Sequence, residues 1–347
     1  MKKITTIKKS LSVVCRFIIP ALIVVSALSC SSEGDIRQIF TNRSEPPVFL
    51  DSRAVSPTEV VFNFSKPVQV TSVTFNPELE VNEIHNGAEV RIVLAQPLEP
   101  GKKFTADILV EDANKNTLTA VETFRGRNDR MPKLVFNELR TELSKQKVEF
   151  VEFFSLNAGN IGAMKLFVST NSLTEPLYEF PPAEIQTGEY IVLHMRTLSD
   201  ESVDETGNDL DLSGGVEALS TARDFWIAGN TKRLHKTCAI WITDQDDKII
   251  DAVVLVEKAA DWGKNNTAAA AEFLALSGAW LSPDGDDAEG TWIPGYADAV
   301  STSGTTNTRT INRDESISPQ ACAGNWYISA TSSDTPGREN STKRYTP

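Results

Sequence analysis

Two acidic loops contain the side chains that could bind a metal ion. They cover residues 204–211 and 284–289, and their best-spaced oxygen ligands are Asp204, Asn208, Asp284 and Asp286. Calcium prefers clustered carboxylate and amide oxygens, often on alternate positions of a loop. Neither loop has the full ligand set or the closing glutamate of an EF-hand. The pattern favours solvated acidic loops, with Ca²⁺ binding as the weaker alternative, and it predicts no other cofactor.

The sequence contains no motif that is typical of a catalytic site. The sequence has no nucleophile elbow, zinc motif, P-loop or dinucleotide fingerprint. Its three histidines lack metal-ligand spacing, and His194 follows an apolar stretch, which is more typical of an edge or core histidine than of a catalytic one. Glu149 and Glu152 are three positions apart on a predicted strand, so they should face opposite sides. The sequence therefore predicts no catalytic residue and a protein that is not an enzyme.

The charge of the chain disfavours one class of partner. The 347 residues carry a formal net charge of −13, and residues 1–29 contain five positive and no negative charges, which leaves the remainder near −18. An acidic surface repels nucleic-acid phosphates. Sequence-independent binding of DNA or RNA is therefore not expected.

The first 30 residues have the pattern of an export signal. Basic residues precede an apolar run from Phe17 to Leu28, and a small residue, Ser29, stands before Cys30. The run is shorter than the ~20 residues of a membrane span. Simple secretion or an uncleaved anchor are the alternatives that these features leave open.

The junction Ser26-Ala27-Leu28-Ser29-Cys30 resembles the lipobox of bacterial lipoproteins in its looser, spirochaete-like form. A Leu, Val or Ile is usual where Ala27 stands. The resemblance implies that residues 1–29 are a lipoprotein signal peptide and that the Cys30 thiol carries acyl chains such as palmitate. Residues 30–46 would then be a lipidated tether to a bacterial membrane, at the outer membrane or the periplasmic face of the cell envelope.

If Cys15 is removed with the signal and Cys30 carries lipid, Cys238 and Cys322 remain as a pair. Disulfides persist in export compartments. A Cys238–Cys322 disulfide is therefore a prediction, and two buried free thiols are the alternative.

Short strands separated by turns are predicted over residues 47–126. Asn86-Gly87 is a hairpin signal followed by alternating apolar residues. The stretches Phe64-Ser65-Lys66-Pro67-Val68 and Leu98-Glu99-Pro100-Gly101 resemble the bacterial Ig-like domains of surface proteins. That resemblance implies a β-sandwich.

Residues 133–342 resemble the lamin-tail domain, an Ig-like β-sandwich. The resemblance rests on Asn137-Glu138, on the strand from Glu149 to Glu152, on a strand containing Trp326, and most specifically on Thr335-Pro336-Gly337-Arg338-Glu339-Asn340. Residues near 196–236 and 256–306 are predicted insertions. The second contains a helix-favouring stretch, Ala268 to Leu276. Its flanking tryptophans, Trp262, Trp280 and Trp292, favour packing over a carbohydrate platform.

These observations predict an all-β protein with two Ig-like β-sandwich domains in tandem, the second with loop and helix insertions. The expected function is that of a non-enzymatic, membrane-anchored lipoprotein that displays the sandwiches for binding or structural interaction with a protein or glycan partner. The alternatives are a surface adhesin for host protein or glycan, and an exported protein associated with a nuclease or phosphatase. Fold alone does not choose among them.

Overall fold

The computed structural model describes residues 45–282, 292–314 and 321–347. Within these ranges the chain forms nineteen β-strands, one α-helix and a few 3₁₀ turns, so the predicted all-β class is confirmed. No helix of the described ranges is long and apolar enough to cross a membrane. The strands form two packed units, which we call the first and second sandwich.

The first sandwich contains six strands: β1 (Phe49–Ser56), β2 (Glu59–Asn76), β3 (Val81–His85), β4 (Gly87–Leu94), β5 (Lys103–Asp112) and β6 (Thr117–Arg125). Strand β2 pairs with β1 and β4 along its first half and with β5 along its second half, so one strand belongs to both layers. On β5 the alternate residues Phe104, Ala106, Ile108 and Val110 are buried. This period of two turns one side of the strand toward the core.

The second sandwich contains the remaining strands: β7 (Leu134–Arg140), β8 (Phe150–Ser155), β9 (Gly159–Asn160), β10 (Lys165–Val168), β11 (Tyr178–Glu179), β12 (Glu184–Ile185), β13 (Tyr190–His194), β14 (Arg223–Trp226), β15 (Cys238–Thr243), β16 (Ile249–Val256), β17 (Val300–Ser301), β18 (Ile311–Arg313) and β19 (Trp326–Ile328). One sheet has the order β11-β10-β15-β16-β17 and the other has β14-β13-β8-β7-β18-β19. A single hydrophobic core lies between them.

Both predicted insertions contribute to the packing of the second sandwich. Residues 196–236 include β14, which extends one sheet by pairing in parallel with β13. Residues 256–306 include helix α1 (Thr267–Leu276), which confirms the predicted helix. Helix α1 packs against the opposite sheet, where the Phe273 ring lies 6.0 Å from Trp241. Trp280 is buried and donates its indole N–H to the Asp298 carbonyl at 3.1 Å, which confirms its packing role.

The two sandwiches meet at a tight junction. Backbone of Gly101 approaches backbone of Gly162 so closely that a Cβ on Gly101 would lie 2.5 Å from the Gly162 carbonyl carbon, and Gly101 has φ +71°. The Asn128 side chain donates to the carbonyls of Asn160 and Gly162 at 2.8 and 2.9 Å. Arg127 pairs with both oxygens of Asp246 at 3.1 Å. These contacts fix the linker between β6 and β7, residues 126–133, to the second sandwich.

The junction joins the sandwiches end to end. In the first sandwich, Lys103 and Arg125 are paired at the junction end of β5 and β6, and Glu111 and Thr117 at the other end. The chain enters at that other end, because Lys66 donates to the Glu45 carbonyl and also lies 3.7 Å from Asp112. Glu45, the first described residue, and the second sandwich therefore lie at opposite ends of the first sandwich.

Candidate functional site

The segment Thr335–Asn340, which we call the C-terminal clip, lies across β7 and β8. Thr335 donates its backbone N–H to both oxygens of Glu138, at 3.2 and 3.1 Å, and Gly337 donates to Glu152. Asn340 donates to the side-chain and backbone oxygens of Asn137 at 2.9 and 3.2 Å. Both glutamates are fully buried, and burial raises the pKa of Glu138. The clip therefore supplies the donors that these buried carboxylates require.

A buried arginine extends this network. The Arg140 side chain is 1% exposed and donates to both oxygens of Glu217, at 2.8 and 2.7 Å, and to Asp334 at 2.6 Å. Its guanidinium also lies 4.7 Å from the centre of the Phe150 ring. Burial opposes ionisation of Asp334, but the hydrogen bond from Lys147 and the charge of Arg140 lower the pKa of its carboxyl overall. The network joins the end of β7 to Glu217 and to Asp334, the residue before the C-terminal clip, so we interpret its role as structural.

The calcium candidates fall into two groups. Asp204 accepts the Trp226 backbone N–H at 2.8 Å and the Tyr178 hydroxyl at 3.0 Å, and burial raises the pKa of its carboxyl. Asn208 lies exposed later in the same loop. Asp204 is therefore engaged in holding β14, and the described ranges contain no cluster of three or more metal-ligating side chains. Asp284 and Asp286 lie outside the described residues, as does Cys30.

The predicted disulfide between Cys238 and Cys322 is wrong in this structure, where both thiols are free. Cys238 is fully buried in β15 and donates to the His235 carbonyl at 3.2 Å. Cys322 is partly exposed and precedes β19, which belongs to the opposite sheet. The cysteine count indicated that a disulfide was possible, but it could not show that Cys238 lies in a buried strand while Cys322 lies in the turn before a strand of the opposite sheet.

The two thiols should differ strongly in reactivity. Burial raises the pKa of Cys238 to about 12, which leaves almost no thiolate at neutral pH. We expect iodoacetamide to modify Cys322 at least ~10-fold faster than Cys238 in the native protein, because the thiolate is the nucleophile. Peptide mass mapping after a time course measures both rates, with denatured protein as the control. Equal rates, or a native Cys238–Cys322 crosslink, would contradict the structure.

His194 occupies a core position, as the sequence predicted. Its ring lies 3.8 Å from the Trp226 ring, in a stacked arrangement, and its Nε2 is 2.7 Å from Asp224. Asp224 also accepts the Leu219 backbone N–H at 2.6 Å. The sequence did not predict that Asp224 is the partner of His194, because Asp224 lies 30 positions later, in β14, and reaches His194 only through the pairing of β14 with β13. Buried and stacked, this pair stabilises the sheet.

A polar cleft lies at the end of the second sandwich that faces away from the junction. The β15–β16 turn touches the linker, where Gln245 accepts from Asn128 at 2.9 Å, whereas the cleft lies where β7 and β16 end and β15 begins. We call it the distal cleft; its volume is about 350 Å³. It is lined by Glu142, Lys232, His235, Lys236, Thr237, Glu257, Asp261, Lys264 and Asn265.

Three ammonium–carboxylate pairs surround the distal cleft. Lys232 lies 3.2 Å from Glu142, Lys236 lies 3.2 Å from Glu257, and Lys264 lies 2.7 Å from Asp261. All three lysine side chains are partly or largely exposed, so these pairs are solvated and weak. The three lysines and three carboxylates of the cleft therefore balance in charge.

His235 is the histidine of the distal cleft, which it lines together with the uncharged polar residues Thr237 and Asn265. Burial lowers the pKa of its imidazole, and the nearby charge of Lys232 lowers it further. Across the part of the chain that the structure describes, no hydrogen bond to the His235 ring is formed. A neutral imidazole has one donor and one acceptor nitrogen. The cleft therefore contains a ring with unused hydrogen-bonding capacity.

The rim of the distal cleft has an unusual backbone. Asn265 and Asn266 have φ values of 55° and 56°, in the left-handed region, which non-glycine residues seldom adopt. Asn265 donates to the Thr237 carbonyl at 2.7 Å and Asn266 to the Ser169 carbonyl at 3.2 Å, so side-chain hydrogen bonds hold this conformation. Such conformations persist only where the surroundings fix them, and they cluster at ligand sites.

Known proteins match parts of the chain. A protein of Treponema pallidum (strain Nichols), named only as uncharacterized, is 31% identical over 168 residues, which are 46% of this chain; the chain spans about 42% of that relative's length. The crystal structure of the N-terminal part of the bacterial S-layer protein SbsC is 15% identical, with a TM-score of 0.24, over 50% of this chain and 44% of that one. The TP_1001_2nd family, described as a protein second domain, matches residues 132–328, more than half of the sequence and most of the second sandwich. The chain belongs to this family.

Proposed function

We propose that this protein is a non-enzymatic, lipid-anchored protein of the bacterial cell envelope that presents the distal cleft away from its membrane. The observation that carries the proposal is the end-to-end arrangement. The chain enters the first sandwich at Glu45, and the cleft lies beyond the second sandwich at the opposite end. A lipid on Cys30, 15 positions before Glu45, would place the membrane at the first end. The cleft would then be the part of the protein farthest from the bilayer.

The burial of the ionisable groups supports a non-enzymatic role. Glu138 and Glu152 accept hydrogen bonds from the C-terminal clip, and His194 is stacked on Trp226 within the core. General acid–base chemistry needs such a group within hydrogen-bond reach of a bound substrate. Buried among structural partners, these groups stabilise the fold instead.

The anchor is tested by acyl labelling of the full-length protein in a bacterial host that processes lipoproteins. We expect labelled palmitate on the wild type and none on Cys30→Ser, because the thiol is the acylated atom. Cys15→Ser is the matched control and should keep its label, since Cys15 lies within the signal. In detergent phase separation, the wild type should enter the detergent phase and Cys30→Ser the aqueous phase. Label on Cys30→Ser, or an unlabelled wild type, would reject the proposal.

An adhesin is the second candidate, and the position of the distal cleft favours it. A cleft at the tip farthest from the anchor would be well placed to meet a protein or glycan outside the cell. Protease treatment of intact cells separates this role from a periplasmic one. Loss of the second sandwich under treatment supports the adhesin, and its survival until the outer membrane is opened supports a periplasmic role.

A further inference from the structure

We propose that the distal cleft binds a small zwitterionic group, one ammonium together with one carboxylate, of the kind carried by amino acids and short peptides. The cleft volume of about 350 Å³ is enough for a ligand of that size. Its lining residues are all polar or charged. An apolar ligand would gain little there, because it would displace water from groups that it cannot satisfy.

The alternation of charge around the cleft favours a zwitterion over an ion of one sign. The carboxylates of Glu142 and Glu257 each lie 3.2 Å from one lysine. When a ligand carboxylate pairs with one of these lysines, the glutamate that was paired with that lysine loses its partner. The ligand ammonium can then pair with this glutamate. A simple anion leaves that carboxylate without its partner. A zwitterion therefore exchanges both halves of an ion pair while the net charge of the cleft is unchanged.

His235 supplies the hydrogen bonds that would orient such a ligand. Its imidazole is neutral at pH 7, because burial and Lys232 lower its pKa, and its ring nitrogens are unused within the described ranges. One nitrogen can donate to a carboxylate and the other can accept from an ammonium. The ring thus complements both ends of a zwitterion and does not favour one sign.

The Asn265–Asn266 rim makes the cleft a pre-formed site. Hydrogen bonds from these side chains to the carbonyls of Thr237 and Ser169 connect the rim to β15 and to the loop after β10. The backbone of the rim is therefore held in place before a ligand arrives. A pre-formed site avoids part of the ordering entropy of binding.

The experiment compares three peptides that differ only in end charge. Triglycine has one ammonium and one carboxylate, N-acetyl-triglycine has only the carboxylate, and triglycine amide has only the ammonium. We expect calorimetry on the full-length protein in detergent to show that triglycine binds at least ~10-fold more tightly than either blocked peptide, a difference of one decade in Kd. Equal binding of N-acetyl-triglycine would make the cleft an anion site, and no binding of triglycine would reject a ligand site of this class.

Single substitutions test whether triglycine binds in the distal cleft. Lys236→Ala and His235→Ala should each weaken the binding of triglycine by about tenfold, since each removes a hydrogen bond to a charged group. Lys103→Ala is the matched control, because Lys103 is an exposed lysine of the first sandwich. Unchanged thermal midpoints show that the variants are folded. If Lys103→Ala weakens the binding of triglycine as much as Lys236→Ala does, the ligand does not occupy the distal cleft. Because this assay does not depend on acylation, it can fail while the lipid anchor stands, and the reverse also holds.

Discussion

Replacing Arg140 with alanine is expected to lower the free energy of unfolding of the second sandwich by about 3 kcal/mol, the lower end of the cost of breaking a buried ion pair, because Glu217 loses its arginine and Asp334 keeps only Lys147. Glu217 and Asp334 lose their arginine hydrogen bonds, and the Phe150 ring loses the guanidinium packed on it. Chemical denaturation followed by tryptophan fluorescence measures the change, because the tryptophans all lie in the second sandwich.

The matched control for Arg140 is Arg91. It also pairs with two carboxylates, Glu59 and Glu89, both at 2.7 Å, but its side chain is 45% exposed. Water and salt screen such pairs. Arg91→Ala should therefore leave the stability of the first sandwich nearly unchanged, and calorimetry measures the transition of that sandwich. Equal losses for Arg91→Ala and Arg140→Ala would mean that burial of the Arg140 network does not matter.

Ending the chain after Ser333 is expected to abolish the cooperative unfolding of the second sandwich. The truncation removes Asp334 and the C-terminal clip together, so Glu138, Glu152 and Arg140 all lose partners. Arg140 keeps Glu217 and Glu152 keeps Asn137, so each group loses part of its hydrogen bonding, at a cost of about 1–3 kcal/mol for each buried polar group and more for a charged one. Three such losses are comparable to the roughly 5–15 kcal/mol that keeps a whole domain folded. Calorimetry should show that one transition disappears while the transition of the first sandwich remains.

A shorter truncation is the control for the clip. Ending the chain after Tyr345 removes only Thr346 and Pro347 and keeps the hydrogen bond from the Tyr345 N–H to the Ile328 carbonyl. It should leave both transitions in place. A cooperative second transition in the protein that ends at Ser333 would show that the clip is dispensable.

Local patterns in the sequence predicted the elements that local chemistry determines. The Asn86-Gly87 hairpin lies between β3 and β4, and the alanine-rich stretch forms helix α1. By contrast, Glu138, Glu152 and Arg140 are charged residues in strands, and such residues are usually exposed. Their burial depends on donors and acceptors almost 200 positions later in the sequence, which no periodicity reports. The resemblance pointed to the clip as a motif but not to what it contacts.

The distal cleft could not be predicted from the sequence either, because distant parts of the chain form it. Its lining comes from the end of β7, the segment before β15, the end of β16 and the turns before helix α1. These residues fall into three separate parts of the sequence, Glu142, residues 232–237 and residues 257–265, and each part resembles an ordinary solvated loop. The β14 strand was hidden inside a predicted insertion, because its Arg223 and Asp224 interrupt the apolar pattern of a buried strand.

The end-to-end arrangement also determines how the protein would carry a pulling force. Strands such as β5, β6, β7 and β16 run between the end where the chain enters and the end that holds the distal cleft. Ladder hydrogen bonds are perpendicular to their strands. Tension between the tether and a bound partner would therefore load many of these bonds in shear at the same time, instead of opening them one by one. At the junction, the bonds of Asn128 and Arg127 would share the load with the linker. Such a molecule is built to resist tension along its long axis.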